Sequence, residues 1–396
     1  MSTLLAGAGW LLTAAAGMPL AVFSTELFTG LWPSVGRPKA SLAGRTAILI
    51  PAHDEELGIV PTLNALSEQV RPGTRVIVIA DNCTDKTASL AREAGAEVIE
   101  RNDPNLRGKG YALAFGRDYL ARGEVVPDVV MVVDADCRLN PGSIDALAEA
   151  AVRLRAPIQA DYLFDADLQA PPMVQISSFA MLVKNRYRSR GMQRLGGAAL
   201  LTGTGMAFPW SLYEHANLAT GSIVEDLAFG IEMTRAGHPP RLIEEAGVRS
   251  APAALGDALA QRTRWEHGFL TTLFRDALPV LLGGLKRISL PEILLGLHLV
   301  VPPLALLLLL SGGALAIQAV LAVLGGSVAA LATLGGITAV ALTLVIAAWM
   351  GGGRAYLRGS ALLRAPLYVL WKLPVYAKFL RKPEVSWNRT PRRPEN

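Results

Sequence analysis

Two cysteines in 396 residues, Cys83 and Cys137, are too few for a disulfide scaffold, and no Cys/His spacing matches a zinc ligand set. Charge is sparse, at 18% of residues, and although the net charge is +5 there is no long Lys/Arg run to track a phosphate backbone. Nucleic acid is therefore excluded as the partner. Charge is missing altogether from Ser2 to Thr25 and again from Ile293 to Gly353. Together with a 51% hydrophobic composition, those gaps exclude an ordinary water-soluble enzyme of this length.

The first gap holds Leu4–Phe23, about long enough to cross a bilayer core. A signal peptide would carry its basic residues ahead of the apolar run; here Arg37, Lys39 and Arg45 follow it, as expected of an uncleaved anchor with an outside N-terminus. The second gap accommodates two spans, roughly Leu294–Ala314 and Leu331–Met350, which return the chain to the side carrying Arg354, Arg358, Lys372, Arg381, Lys382, Arg392 and Arg393. Leu273–Leu290 and Tyr356–Leu380 mix apolar and basic residues and read as helices lying in the membrane interface. The expected organisation is an anchor and linker over 1–45, a catalytic domain over 46–270, an interfacial helix over 271–292, two transmembrane helices over 293–353, and a cytoplasmic interfacial segment with a basic tail over 354–396. The Ala/Gly/Arg-rich composition points to a multi-pass protein of a bacterial inner membrane with its catalytic domain in the cytoplasm.

Within the polar part, the apolar runs Ala47–Pro51, Val76–Ala80, Glu97–Ile99 and Val129–Val133 read as strands, and Leu57–Gln69, Thr84–Ala94 and Gly110–Ala121 as the helices between them. That alternation predicts an α/β fold with a parallel sheet and ligands at the carboxyl ends of its strands. The polar clusters follow those strands. Asp54 and Asp81 sit in acidic loops that suit either helix capping or hydrogen bonds to a nucleobase and ribose. Asp134 and Asp136 end the most hydrophobic strand, where strand alternation places both carboxylates on one side; such a pair suits Mg2+ or Mn2+, and a solvated turn is the plainer reading. Arg107-Gly108-Lys109-Gly110 opens a helix and suits a diphosphate or simply solvent. Glu225-Asp226 starts another helix, as caps or as a proton acceptor for a hydroxyl. Gln261, Arg264 and Trp265 share a helix face, where Arg can fork onto phosphate and Trp can stack on a sugar or anchor the helix near lipid.

In that order and spacing, Asp81, Asp134-x-Asp136, Glu225-Asp226 and Gln261-x-x-Arg264-Trp265, followed by membrane helices, resemble family 2 glycosyltransferases. The resemblance is to the branch of cellulose, hyaluronan and poly-N-acetylglucosamine synthases and ceramide glucosyltransferase, and it covers roughly residues 46–290. It implies a GT-A-like domain and inverting transfer from a UDP-sugar to a growing saccharide, or of one sugar to a lipid. A nucleotide-sugar-binding scaffold without turnover is the rival from another class. By the resemblance, Asp54 and Asp81 contact uridine, Asp134 the nucleotide and metal, Asp136 the metal, Lys109 the phosphates and Arg264 the diphosphate. Asp226 is the base supported by Glu225, Trp265 packs on the acceptor, and Gly203 and Thr204 belong to a loop lining the acceptor site. Two features depart from the polymer synthases: Val224 stands where a Thr usually precedes the acidic pair, and three spans are fewer than enclose a polymer channel.

Overall fold

The computed structural model describes residues 2–33, 44–253 and 255–383. The chain divides into two compact units. Arg37, Lys39, Arg392 and Arg393, on which part of the topology expectation rests, lie outside the described residues.

One unit comprises, among the described residues, 44–165 and 198–268. Its eight strands are β1 (Thr46–Ala52), β2 (Arg75–Asp81), β3 (Glu97–Arg101), β4 (Val129–Val132), β5 (Arg138–Leu139), β6 (Ile158–Phe164), β7 (Met206–Pro209) and β8 (Arg241–Ser250). They form one sheet in the order β3-β2-β1-β4-β7-β6-β8-β5. The first four strands are parallel, in register Ile48 with Val76, Thr46 with Val129 and Val78 with Val98. The intervening helices Ile59–Ser67, Thr87–Glu93 and Lys109–Ala121 supply the crossovers that parallel pairing requires. The inner strands β1 and β4, covered on both faces, are apolar almost throughout, and Ala47, Ile48, Leu49 and Ile50 are wholly buried, whereas the edge strand β3 carries Glu97, Glu100 and Arg101. β7 then runs antiparallel to both β4 and β6, and β6 returns to a parallel pairing with β8. Alternation of strand and helix foretold the first half; the antiparallel insertion of β7 depends on a strand nearly eighty residues downstream of its partner β4 and has no local marker.

The other unit comprises residues up to Pro33, 166–197 and 269–384. Among the described residues, four helices are long and apolar enough to cross a membrane by length and composition: Ser2–Gly30, Leu259–Arg287, Leu304–Val323 and Val328–Gly351. The expected span Leu294–Ala314 is corrected: a short helix, Leu290–Val300, ends before Pro302-Pro303, and Pro303 caps Leu304–Val323. Two prolines remove two donors and clash with the preceding turn, so no helix continues through them. The helix Leu255–Arg287 runs through residue 270, next to the division between the units at Gly268 and Phe269, and ends before Ile288, which turns the chain at φ 53°. Tyr356–Leu380 resolves into three short helices, two of which carry Pro366 and Pro374 in their first turn.

Within this apolar unit lies a buried charge cluster. Glu26, Arg188 and His298 are 1%, 6% and 1% exposed. Arg188 Nε donates to Glu26 Oε2 at 2.7 Å, and His298 Nδ1 lies 2.8 Å from Glu26 Oε1. Arg190 and Arg194 donate to the carbonyls of Gly30 and Thr29 at the end of the first helix, satisfying groups with no intrahelical partner. The backbones meet closely there: a Cβ at Gly191 would lie 1.8 Å from the Glu26 carbonyl oxygen.

Candidate active site

β4 ends at Val132, and the chain turns immediately, with the Cys137 N–H donating to the Asp134 carbonyl at 3.1 Å. That turn, rather than continued strand alternation, makes the acidic side chains converge. Asp134, Asp136 and Cys137 each bring a ligand atom within 4.8 Å of the other two. Burial pushes the Cys137 thiol well above its usual range, with Asp136 and Asp134 adding to the effect, so it stays protonated and is a poor ligand. The two carboxylates are hard oxygen donors, and the donor set therefore fits a divalent cation such as Mg2+ or Mn2+. Thr62 Oγ donates to the Ala135 carbonyl at 2.8 Å and holds the turn from the far side.

Lys109 is the cation of the site. Its Nζ donates to Asp134 Oδ1 and, at 2.7 Å, to the Gly203 carbonyl. Burial alone would lower the Lys109 pKa; the carboxylates of Asp134, Glu225 and Asp226 outweigh it and raise it, so the ammonium is permanent. Gly110, one residue on, packs so tightly that a Cβ would lie 2.4 Å from the Leu218 carbonyl oxygen. The glycine in the Arg107–Gly110 turn is thus there for close approach of backbone to backbone.

Gly203 and Thr204 lie in the same cluster. Gly203 has φ +85°, and a Cβ there would stand 3.2 Å from Asp226 Oδ2 and 3.3 Å from Lys109 Nζ. Thr204 Oγ accepts the Asp134 N–H at 3.1 Å. Glu225 and Asp226 open the helix Glu225–Arg235, and Asp226 Oδ1 accepts the Leu227 N–H at 2.7 Å. Desolvation drives the Glu225 carboxyl well above the usual range and the adjacent Asp226 adds to it, while Lys109 pulls it back. Burial beside Asp226 therefore disfavours the ionised form of Glu225.

Asp54 and Asp81 are brought together differently. Asp54, in the left-handed region at φ 53°, accepts the Thr84 N–H at 2.6 Å and the Asp85 N–H at 3.3 Å, tying the first acidic loop to the second. Burial raises its carboxyl slightly, and the hydrogen bonds from Thr84, the neighbouring His53 and Asp85 bring it below the ordinary value. Asp81 is 6% exposed, and its Oδ1 receives Arg101 Nη1 at 2.6 Å and Asn82 Nδ2 at 3.0 Å. Arg101, at the end of an edge strand with its guanidinium 5.6 Å from the Tyr111 ring, escaped the sequence reading because it belongs to no motif.

Gln261, Arg264 and Trp265 lie together on the helix Leu255–Arg287. Gly268, four residues after Arg264 and three after Trp265, has no room for a side chain: a Cβ would meet Val224 Cγ1 at 2.6 Å. The helix face carrying the motif therefore runs against the residue preceding Glu225-Asp226. The Trp265 ring stacks on Phe164 at 6.4 Å between centroids, and Arg262 lies over both rings at 5.1 and 5.2 Å. Phe164 and Arg262 were also missed; an aromatic at the end of β6 gives no sign in sequence of which helix will cover it.

The acidic cluster around Lys109 lies beyond the carboxyl end of β4, where open α/β sheets bind their ligands. The profile of the family described as glycosyltransferase like family 2 matches residues 43–268, and the chain belongs to that family. The fold is GT-A-like: mannosyltransferase PcManGT of Pyrobaculum calidifontis, solved with GDP-Man and Mn2+, superposes with a TM-score of 0.53 over 93% of this chain and 99% of its own, at 19% identity. The 4,4'-diaponeurosporenoate glycosyltransferase of Staphylococcus haemolyticus is 33% identical over 112 residues, 27% of this chain and 28% of that one. The probable glycosyltransferase YdaM of Bacillus subtilis is 33% identical over 99 residues, 23% of either chain. This chain thus covers about a quarter of the length of either relative.

Proposed function

We propose that the protein is an inverting, metal-dependent hexosyltransferase of a bacterial inner membrane that moves one sugar from a UDP-sugar to a membrane-lipid acceptor. The observation that carries the reading is the arrangement of Lys109, Asp134, Gly203 and Asp226, in which one ammonium and one carboxylate border the same glycine. Asp134 and Asp136 would hold Mg2+ or Mn2+, which neutralises charge on the departing diphosphate. Asp226 takes the proton of the acceptor hydroxyl. The oxygen attacks the anomeric carbon as the bond to diphosphate breaks, and one displacement inverts that centre. Glu225, protonated, leaves the charge on Asp226. Lys109 and Arg264 face the diphosphate, Asp54 and Asp81 the uridine, Gln261 supports Arg264, and Trp265 closes the acceptor side together with Gly203 and Thr204.

Three spans, Ser2–Gly30, Leu304–Val323 and Val328–Gly351, fit this reading, with Leu259–Arg287 at the interface. In that helix Phe274, Leu278, Leu282 and Leu285 recur at helical spacing and are 73%, 60%, 55% and 54% exposed, next to Arg275, Asp276, Lys286 and Arg287. An odd number of spans puts the termini on opposite sides, and the basic residues after the first and the last span favour an outside N-terminus with the C-terminus and the α/β unit in the cytoplasm. The lipid acceptor is favoured over the polymer because so few spans cannot enclose a polymer channel, and because one relative is named a diaponeurosporenoate glycosyltransferase and not a polysaccharide synthase.

Purified protein in nanodiscs, offered radiolabelled UDP-glucose, UDP-galactose, UDP-N-acetylglucosamine and GDP-mannose with extracted bacterial lipid, tests the reading. A single labelled glycolipid from a uridine donor is expected, lost in excess chelator. A ladder of products would replace the lipid reading with polymer synthesis. Transfer from GDP-mannose alone would overturn the uridine assignment, and hydrolysis or binding without transfer would leave a scaffold.

A further inference from the structure

We infer that Gln159 is a positioning residue for the transfer step, acting through the backbone of the Thr202–Gly205 loop; the inference rests on the transferase reading above. Gln159 is 2% exposed on β6 and belongs to none of the motifs in the chain. Its Oε1 accepts the Thr202 N–H at 2.9 Å, and its Nε2 donates to the Thr204 carbonyl at 3.0 Å and to the Ala160 carbonyl at 2.9 Å. The two loop contacts flank Gly203, so one planar amide fixes the backbone on either side of it.

What Gln159 fixes is the part of the loop that meets the reacting groups. The Gly203 carbonyl receives Lys109 Nζ at 2.7 Å, its Cα faces Asp226 Oδ2, and Thr204 Oγ receives the Asp134 N–H. The ammonium, the base and the backbone of Asp134 are therefore referenced to one short segment, which Gln159 braces on both sides of Gly203 while the Ala160 N–H donates to the Gly205 carbonyl at 2.8 Å. Only a carboxamide of this length supplies both an acceptor and a donor there. Met fills the same space and offers neither, which leaves the Thr202 N–H and the Thr204 carbonyl unpaired; ionised Glu keeps the acceptor and loses the donor. A displacement of the loop by even a fraction of an ångström moves Lys109 relative to Asp226, and rate is far more sensitive to that distance than donor affinity is.

The test is steady-state kinetics of full-length protein in nanodiscs with the donor that wild type turns over, comparing Gln159→Met and Gln159→Glu. Gln159→Met should lower kcat by roughly tenfold or more with donor KM within about threefold, and Gln159→Glu should fall between it and wild type. Thr204→Val should cost less in the Gln159→Met background than in wild type, because both act through one loop. A kcat within about twofold of wild type in both Gln159 variants overturns the inference, as does a loss confined to donor KM or to melting temperature with kcat per folded molecule unchanged. If Gln159→Met does not fold, Gln159→Glu decides on the same criteria. Absence of transfer by wild type with every nucleotide sugar overturns the transferase reading and this inference with it; active wild type with unaltered variants overturns this inference alone.

Discussion

Among the described residues, two of the clusters of buried or half-buried charge are built on opposite rules. In the apolar unit, Glu26 is matched by Arg188 and hydrogen-bonded to His298, all three sealed from solvent. In the catalytic unit, Lys109 faces three carboxylates, Asp134, Glu225 and Asp226, with Asp136 exposed beside them. The first cluster is balanced and closed, as burial in an apolar surrounding requires. The second carries surplus negative charge, which is costly unless a proton or a cation offsets it. Burial disfavours the ionised form of Glu225. The remaining imbalance is what the proposed transfer would use, to accept a cation and a proton from substrate, whereas the balanced cluster offers neither.

The largest expected effect comes from unbalancing the closed cluster. Arg188→Leu strands Glu26 and should destabilise the protein by about 3–5 kcal/mol, whereas Glu26→Gln with Arg188→Met should lie near wild type. Thermal melting in detergent checks both. If the double variant melts as low as the single, balance is not what holds the cluster.

Asp226→Asn tests the opposite case, since it relieves charge and keeps shape. Stability should hold or rise, while kcat falls by roughly 10² or more at little change in donor affinity. A helix cap alone would tolerate Asn, so near-normal turnover would return Asp226 to a capping role, and near-normal turnover with Glu225→Gln inactive would move the base to Glu225.

Gly203→Ala places a Cβ at φ +85° beside Asp226 Oδ2 and Lys109 Nζ. The left-handed backbone costs about 1–2 kcal/mol for an L residue, and transfer should fall with stability. An Ala variant of wild-type melting temperature and rate would show that the loop is looser than its contacts suggest.

The smallest effect is on pH dependence. The folded-state pKa of Glu225 is raised above its unfolded value, so the folded state binds the extra proton and ionisation at higher pH erodes stability. Sign follows: the wild type should lose melting temperature as pH rises from the unfolded carboxyl range through the raised folded value, and Glu225→Gln should lose less. A few degrees at alkaline pH, vanishing under acidic conditions, is expected. Equal slopes would mean that Glu225 is ionised in the folded state throughout.

Legibility in the sequence followed the range of the interactions. The first four strands and their crossover helices announced themselves because strand alternation and helical period are local, and Lys109–Ala121 begins within one residue of its expected start. The charge-free stretches likewise declared apolar helices, misplaced only where Pro302-Pro303 breaks one. Asp134 and Asp136 converge as anticipated, by a turn and not by pleating. Composition, periodicity and motif order thus determined the α/β class, the apolar helices and the residue types of the site, since each is written within a few tens of residues. Tertiary structure alone decided that β7 enters antiparallel, that Arg101 holds Asp81, that Phe164 takes Trp265, that Glu26 meets Arg188 and His298, and that Gln159 braces Gly203. Most of these pairs are separated by tens to hundreds of residues, and a side chain's partner across such a distance is fixed by how the whole chain packs, for which no single segment carries a sign.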